Sequence, residues 1–348
     1  MNRIYRIIWS RVLSVFVVVA ENTKGNGKAS SKRKLATPSL VNSSDFPPYK
    51  IISLTLSLAF SSVTLAAPIG GELVSGTGSI SQSGATTTIN QVSQNLSLNW
   101  QSFNIAPTET VNFVQPSPVA IAINRILDTN GSQILGHLNA NGQVYLVNPN
   151  GILFGQGAQV NVSGLVASTL NLNDASLNAE SRTFSGNGNG SVINQGSLNG
   201  SYVALLGNTV TNQGSINTDL GITVLGAGSA VTLTFAGNSL VQMQVDESTL
   251  NNLAENGGLI RADGGTVLMS AGAKDALLTS VVNNTGVIET RSIQNHNGTI
   301  ILLGGKTAGT VNVGGTLDAS APANPQSEIA SPQSNGGFVE TSAAHVKI

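Results

Sequence analysis

Val192-Ile193-Asn194-Gln195-Gly196-Ser197-Leu198 returns 18 residues later as Val210-Thr211-Asn212-Gln213-Gly214-Ser215-Ile216. Both read apolar-x-Asn-x-Gly-x-apolar. Looser copies stand at residues 254–260 and 282–288, and relatives without the Asn at 160–166 and 311–317. A second unit alternates with the first: Gly200-Ser201-Tyr202-Val203-Ala204-Leu205-Leu206-Gly207, then Gly264-Gly265-Thr266-Val267-Leu268-Met269, then Gly298-Thr299-Ile300-Ile301-Leu302-Leu303-Gly304. Short β-branched runs between Gly and Asn punctuation read as strands and turns, and few stretches carry a helical i, i+3, i+4, i+7 stripe. Strand-and-turn units recurring every ~20–30 residues point to a solenoid. In a parallel β-helix the coils stack about 4.8 Å apart, so like sits above like. Val, Leu and Ile then stack inside, and Asn side chains can form amide ladders. Stacked like charges would repel, which suits a chain with only 9% charged residues. An all-β parallel β-helix therefore fits better than a β-sandwich.

The composition agrees. The chain has 348 residues, 40% of them apolar, with 39 Gly and no Cys. That apolar share is enough for a core, and a disordered chain would carry more charge. The net charge of −1 hides an asymmetry: residues 1–66 hold 9 of the 16 Lys and Arg but 2 of the 17 acids. A basic end on an acidic body reads either as a nucleic-acid arm or as a targeting segment. Residues 51–67, Ile-Ile-Ser-Leu-Thr-Leu-Ser-Leu-Ala-Phe-Ser-Ser-Val-Thr-Leu-Ala-Ala, decide for targeting. They follow Lys50 and the cluster Lys32-Arg33-Lys34, are uncharged, and end in small residues, as a secretory signal does. Thr64-Leu65-Ala66 places cleavage after Ala66. The stretch is shorter than the ~20 residues of a membrane-spanning helix, and six of its residues are Ser or Thr. Ahead of it lies a second basic element that opens Met1-Asn2-Arg3-Ile4-Tyr5-Arg6-Ile7-Ile8-Trp9.

Catalytic chemistry is sparse. The three His, His137, His296 and His345, are far apart in sequence, and without Cys there is no thiolate site. Gly305-Lys306-Thr307 ends like a phosphate loop, but the first Gly of that motif would fall at Ile300. We therefore expect no enzyme, no cofactor, no metal and no nucleic-acid partner. The enzymatic rival is a β-helical polysaccharide lyase, which needs clustered Asp and a basic residue for proton abstraction. The absence of Cys suits a chain that crosses an oxidising periplasm unfolded.

One segment is more specific. It reads Asn139-Ala140-Asn141-Gly142-Gln143-Val144-Tyr145-Leu146-Val147-Asn148-Pro149-Asn150-Gly151-Ile152-Leu153-Phe154-Gly155 and continues from Ala158 to Thr169. It closely resembles the secretion domain of the filamentous haemagglutinin family, whose hallmark N-P-N-G-I is here Asn148, Pro149, Asn150, Gly151 and Ile152. Asn99-Trp100-Gln101-Ser102-Phe103-Asn104-Ile105 and Asn124-Arg125-Ile126 are similar to preceding elements of that family. The start of the chain resembles the extended signal region of large exported bacterial proteins. Gly336-Gly337-Phe338-Val339-Glu340-Thr341-Ser342 resembles a motif of the high-molecular-weight adhesin branch. That branch is also favoured by the lack of the N-P-N-L motif common in the family. Physically, Asn-Pro-Asn-Gly is a strong turn, because Pro sets φ and Asn-Gly tolerates positive φ.

The resemblance implies a two-partner secretion exoprotein with a right-handed parallel β-helix and N-terminal capping strands. It implies an outer-membrane transporter that recognises the domain through residues 148–152, passage through the periplasm, and release or display at the cell surface, with membrane contact only during export. We expect an extended signal peptide at 1–66, the secretion domain at 67–320, and at 321–348 a linker with the start of a further, truncated region. The expected role is adhesion to a host-cell receptor or glycan; a toxin or a haem-acquisition exoprotein are alternatives. Sequons such as Asn161-Val162-Ser163 and Asn297-Gly298-Thr299 occur, as this composition produces by chance.

Overall fold

A computed structural model describes residues 5–10, 15–20, 67–237, 239–246, 251–272, 280–293, 296–321 and 335–348. The chain forms two units, Met1–Ser61 and Ser62–Ile348. In the first, Tyr5–Ser10 pairs antiparallel with Val15–Ala20. The expected signal stretch at 51–66 and its cleavage site lie outside the described residues.

The second unit is a parallel β-helix. Its chain visits three sheets in fixed order, so each strand pairs with the equivalent strand of the coils below and above. The first sheet includes Thr110–Val114, His137–Ala140, Gln159–Asn161, Ser197–Asn199 and Ser215–Asn217. The second includes Ile121–Ile126, Gln143–Val147, Gly164–Ser168, Tyr202–Gly207 and Ile222–Ala227. The third includes Ser132–Ile134, Ile152–Phe154, Ser191–Asn194 and Thr209–Asn212. At the start of the stack, Glu72–Ser75 and Gly78–Ser83 run antiparallel to Asn95–Trp100 and Thr86–Gln91. These are the expected capping strands; they cover the first coil's unpaired edges.

The repeat that opens the sequence reading is a ladder. Val192, Val210, Ala254, Val282 and Val311 are in register along the third sheet, and so are Asn194, Asn212, Asn256 and Asn284. All four Asn are fully buried. Each passes its amide to the next: Asn194 Nδ2 donates to Asn212 Oδ1 (2.8 Å), Asn212 to Asn256 (2.7 Å) and Asn256 to Asn284 (2.7 Å). Buried amides are tolerable only when paired, and stacking supplies each with an identical partner. The copy at 311–317 is in frame and puts Val313 opposite Asn284. The copy at 160–166 is out of frame, because Val160 pairs with Leu198 in the first sheet. Its coil instead aligns Ile152 with Val192 and Phe154 with Asn194.

The second unit of the repeat forms the second sheet, and two environments explain its composition. Tyr202–Gly207 and Ile222–Ala227 are buried at every residue. Inward residues such as Val203 and Leu205 join the stack's core. Outward ones, including Tyr145, Tyr202, Ala204 and Val224, lie beneath a separate antiparallel sheet of Ser181–Ser185, Ala230–Ala236 and Ser239–Val245. A strand covered on both faces reads as a continuous apolar run. The next strands of the stack, such as Thr299–Leu303, alternate buried and half-buried residues. The antiparallel strands come from two excursions between coils, one of which stretches the step from Asn212 to Asn256 to 44 residues.

The stack does not stop at the boundary expected at residue 320. Phe338–Ser342 pairs in parallel with Thr299–Leu303, and His345–Lys347 with Thr310–Val313. Residues 335–348 therefore belong to the same solenoid.

Candidate functional site

The Asn148–Ile152 turn joins the second sheet to the third. Asn148 is fully buried, and its backbone N–H donates to Ser168 O (2.9 Å). Its Oδ1 accepts from Asn150 N (2.9 Å), folding the chain back, and Gly151 N donates to Asn148 O (3.0 Å) to close the turn. Its Nδ2 donates to Asn130 O (3.1 Å) and Ser132 Oγ (3.0 Å) on the coil before. One buried side chain thus shapes the corner and ties two coils. Gly151 adopts φ +111°, a conformation that side chains rarely take. The coils also meet closely here, since a Cβ on Gly190 would lie 2.2 Å from Gly151 N. Ile152 is buried between Ser132 and Val192 in the third sheet.

Only Pro149 and Asn150 face solvent. Pro149 O accepts from Gly190 N (3.1 Å), and Asn150 Nδ2 donates to Asp128 O (2.7 Å), so both are held in place. Beside them opens a cleft of about 340 Å³, lined by Thr169, Asn171 and the 185–189 loop. Thr169 lines this cleft, and its buried Oγ1 has no hydrogen-bond partner among the described residues. Of the five residues singled out from the sequence, three build the corner and two present it.

The upstream motifs are interior. Trp100 Nε1 donates to the fully buried Asn124 Oδ1 (2.9 Å), whose Nδ2 donates to Ala122 O and Tyr145 O. Phe103 packs edge-on against Trp100 with ring centroids 5.3 Å apart. Arg125 anchors the first excursion through Asp174, Leu172 O and Asn171. These residues hold consecutive coils together rather than offering a surface.

Sequence reasoning missed a buried polar cluster beneath the antiparallel sheet. Arg182 Nη1 donates to the Tyr145 hydroxyl, which lies 3.1 Å from that of Tyr202, and Tyr202 OH donates to Gln143 Oε1 (2.8 Å). Burial pushes both phenols above their ordinary value, Tyr202 the further. Nothing in the sequence pairs Arg182 with Tyr145, because the excursion brings them together. Among the described residues, no group of three or more His, Asp or Glu could hold a metal ion.

Comparison with known proteins places this architecture. Residues 67–319 match the TPS secretion domain model, and residues 1–44 match that of the extended signal peptide of type V secretion systems.

The chain belongs to the two-partner secretion exoproteins.

Its TPS domain has the fold of the HMW1 secretion domain from Haemophilus influenzae. That crystal structure superposes with a TM-score of 0.57 at 24% identity, covering 81% of this chain and 84% of the other. Among curated proteins it is similar to a heme/hemopexin-binding protein of Haemophilus influenzae (strain Rd). The two are 34% identical over 272 residues, which is 72% of this chain and 29% of the relative. A second Haemophilus influenzae heme/hemopexin-binding protein is 35% identical over 240 residues, 62% of this chain and 26% of the other. The chain thus spans less than a third of the length of these relatives. With its extended signal peptide and TPS domain, the exoprotein is secreted through the periplasm by a type V system.

Proposed function

We propose that the corner at 148–152 is where the outer-membrane transporter takes hold of the TPS domain, with Pro149 and Asn150 as its contact pair. The observation that carries this is the division of labour at the corner. Asn148, Gly151 and Ile152 are buried in the stack, whereas Pro149 and Asn150 are exposed on it beside an amide-lined cleft. Such a rigid exposed turn fits recognition better than catalysis. Transport needs no reaction at the domain itself, and we read the exported protein as a binding protein without enzymatic activity, an adhesin directed at a host-cell receptor or glycan. A second reading, capture of a haem carrier, is favoured by the likeness to the two heme/hemopexin-binding proteins.

The test is secretion into the culture medium with the cognate transporter, comparing Pro149→Ala/Asn150→Ala with Asn148→Ala. The exposed pair is expected to cut transporter-dependent secretion at least ten-fold while lowering folding stability by only about 1–2 kcal/mol, from one exposed hydrogen bond and the freedom that a proline removes from the unfolded chain. Unchanged secretion of that variant would overturn the recognition role. Binding of the secreted protein to cells, and separately to hemopexin, then divides the two readings of its purpose.

A further inference from the structure

Arg182 is a buried cation with no counter-charge among the described residues. It is 4% exposed, on the edge strand of the outer antiparallel sheet, where it pairs with Leu233. Its Nε donates to Ala179 O (3.2 Å) and its Nη1 to the Tyr145 hydroxyl, and both partners are neutral. The ion pairs among the described residues are made by Arg125, Arg261 and Arg291, none by Arg182. The Phe235 ring lies 4.1 Å from the guanidinium carbon and offers its face to the charge. A desolvated ion loses several kcal/mol of hydration, and a ring face returns only about 0.5–2 kcal/mol. Burial raises the Tyr145 and Tyr202 pKa values, so neither phenol supplies a negative charge at neutral pH.

Arg182 lines a cavity of about 120 Å³ together with the polar Gln94, Asn95, Asn178 and Glu180 and the apolar Val119, Ile121 and Leu177. Asn178 accepts from Asn95 Nδ2 through its Oδ1 (2.7 Å), which leaves its own amide N–H groups as further donors. Glu180 is an exposed residue of this rim and forms no ion pair with Arg182. The cavity has room for a few waters or one oxyanion group. Arg with amide donors is the donor set that carboxylates and phosphates select.

We propose that Arg182 and this cavity form a subsite for one oxyanion group, a carboxylate or a phosphate, carried on a larger acidic ligand. The site is separate from the Asn148–Ile152 corner and stands whether or not that corner binds the transporter. It gives the domain a ligand contact of its own, with the neutral Tyr145–Tyr202–Gln143 chain holding the guanidinium from behind.

The test titrates the secreted protein at constant ionic strength with inorganic phosphate, with N-acetylneuraminic acid and with neutral galactose. Binding is read by calorimetry and by the shift of thermal unfolding. Saturable binding of at least one anion and none of galactose is expected. Phosphate alone points to a phosphorylated ligand, and N-acetylneuraminic acid alone points to an acidic saccharide. Asn178→Asp puts a negative charge on an exposed lining residue and is expected to weaken binding at least ten-fold without unfolding the domain. Glu180→Gln removes repulsion and is expected to tighten it about three-fold. No saturable binding of either anion, or equal binding by parent and Asn178→Asp, would overturn the proposal.

Discussion

Replacing Asn212 by Ala tests whether the inner amide ladder stabilises the solenoid. Asn212 is fully buried; its Oδ1 accepts from Asn194 Nδ2 (2.8 Å) and its Nδ2 donates to Asn256 Oδ1 (2.7 Å). In the variant Asn256 Oδ1 loses its side-chain donor, while Asn194 Nδ2 keeps a weaker contact to Ser215 O (3.3 Å). A stranded buried acceptor costs about 1–3 kcal/mol and a lost net hydrogen bond about 0.5–1.5 kcal/mol, so we expect about 2–4 kcal/mol of destabilisation. Asn284→Ala, at the ladder's end, breaks one amide pair only, because Asn284 Nδ2 reaches backbone carbonyls no closer than 3.4 Å. It should cost about 1 kcal/mol. The exposed pair Gln195 Nε2 to Gln213 Oε1 (3.0 Å) provides a control in the same coils. Gln213→Ala should stay within about 0.5 kcal/mol. Equilibrium urea unfolding, followed by far-ultraviolet circular dichroism, reads all three variants. Equal losses for Asn212→Ala and Gln213→Ala would refute the reasoning, since burial and pairing would then make no difference.

Gly151→Ala forces a side chain into φ +111° and sets its Cβ 3.0 Å from Ser191 O, so a loss of about 1–3 kcal/mol is expected by the same urea assay. Leu220 is the one non-Gly residue at positive φ (59°) among the described residues and is largely exposed. Leu220→Gly should raise the thermal midpoint slightly, relieving a left-handed cost of about 1–2 kcal/mol against the glycine's added chain entropy. From Ala67 onward Tyr145 and Tyr202 are the only tyrosines, so absorbance near 295 nm in that chain reads them alone. Because burial raises both pKa values, the folded state holds protons that the unfolded state releases above pH 10.0. Their contribution to stability is intact below that pH and declines as pH rises through it. Phenolate absorbance should therefore appear together with unfolding, and an ionisation near pH 10.0 in the folded protein would contradict the buried cluster.

The local code was legible because a solenoid repeats its environment. Adjacent coils place Asn194 and Asn212 in the same setting with no insertion between them, so their flanking residues agree letter for letter at Asn, Gln, Gly and Ser. The turn at Asn148-Pro149-Asn150-Gly151 was equally plain, since Pro and Gly act through backbone restriction that needs no partner. Where excursions intervene, as between Asn212 and Asn256, spacing along the chain no longer reports spacing in the stack. The copy at 160–166 fails for another reason: its letters fall across Gln159–Asn161 of the first sheet and Gly164–Ser168 of the second, whereas the true repeat spans the third and the first.

By itself the sequence determined the all-β coil, the ladder residues, the sharp corner and the export signal, all consequences of short-range periodicity and backbone preference. Only the tertiary structure decided which side chains of the corner are buried and which are offered. It also decided why the second sheet is apolar on both faces, and that Arg182 meets Tyr145 across 37 residues of chain. Those outcomes depend on which coil or excursion covers which surface, a long-range condition set by packing.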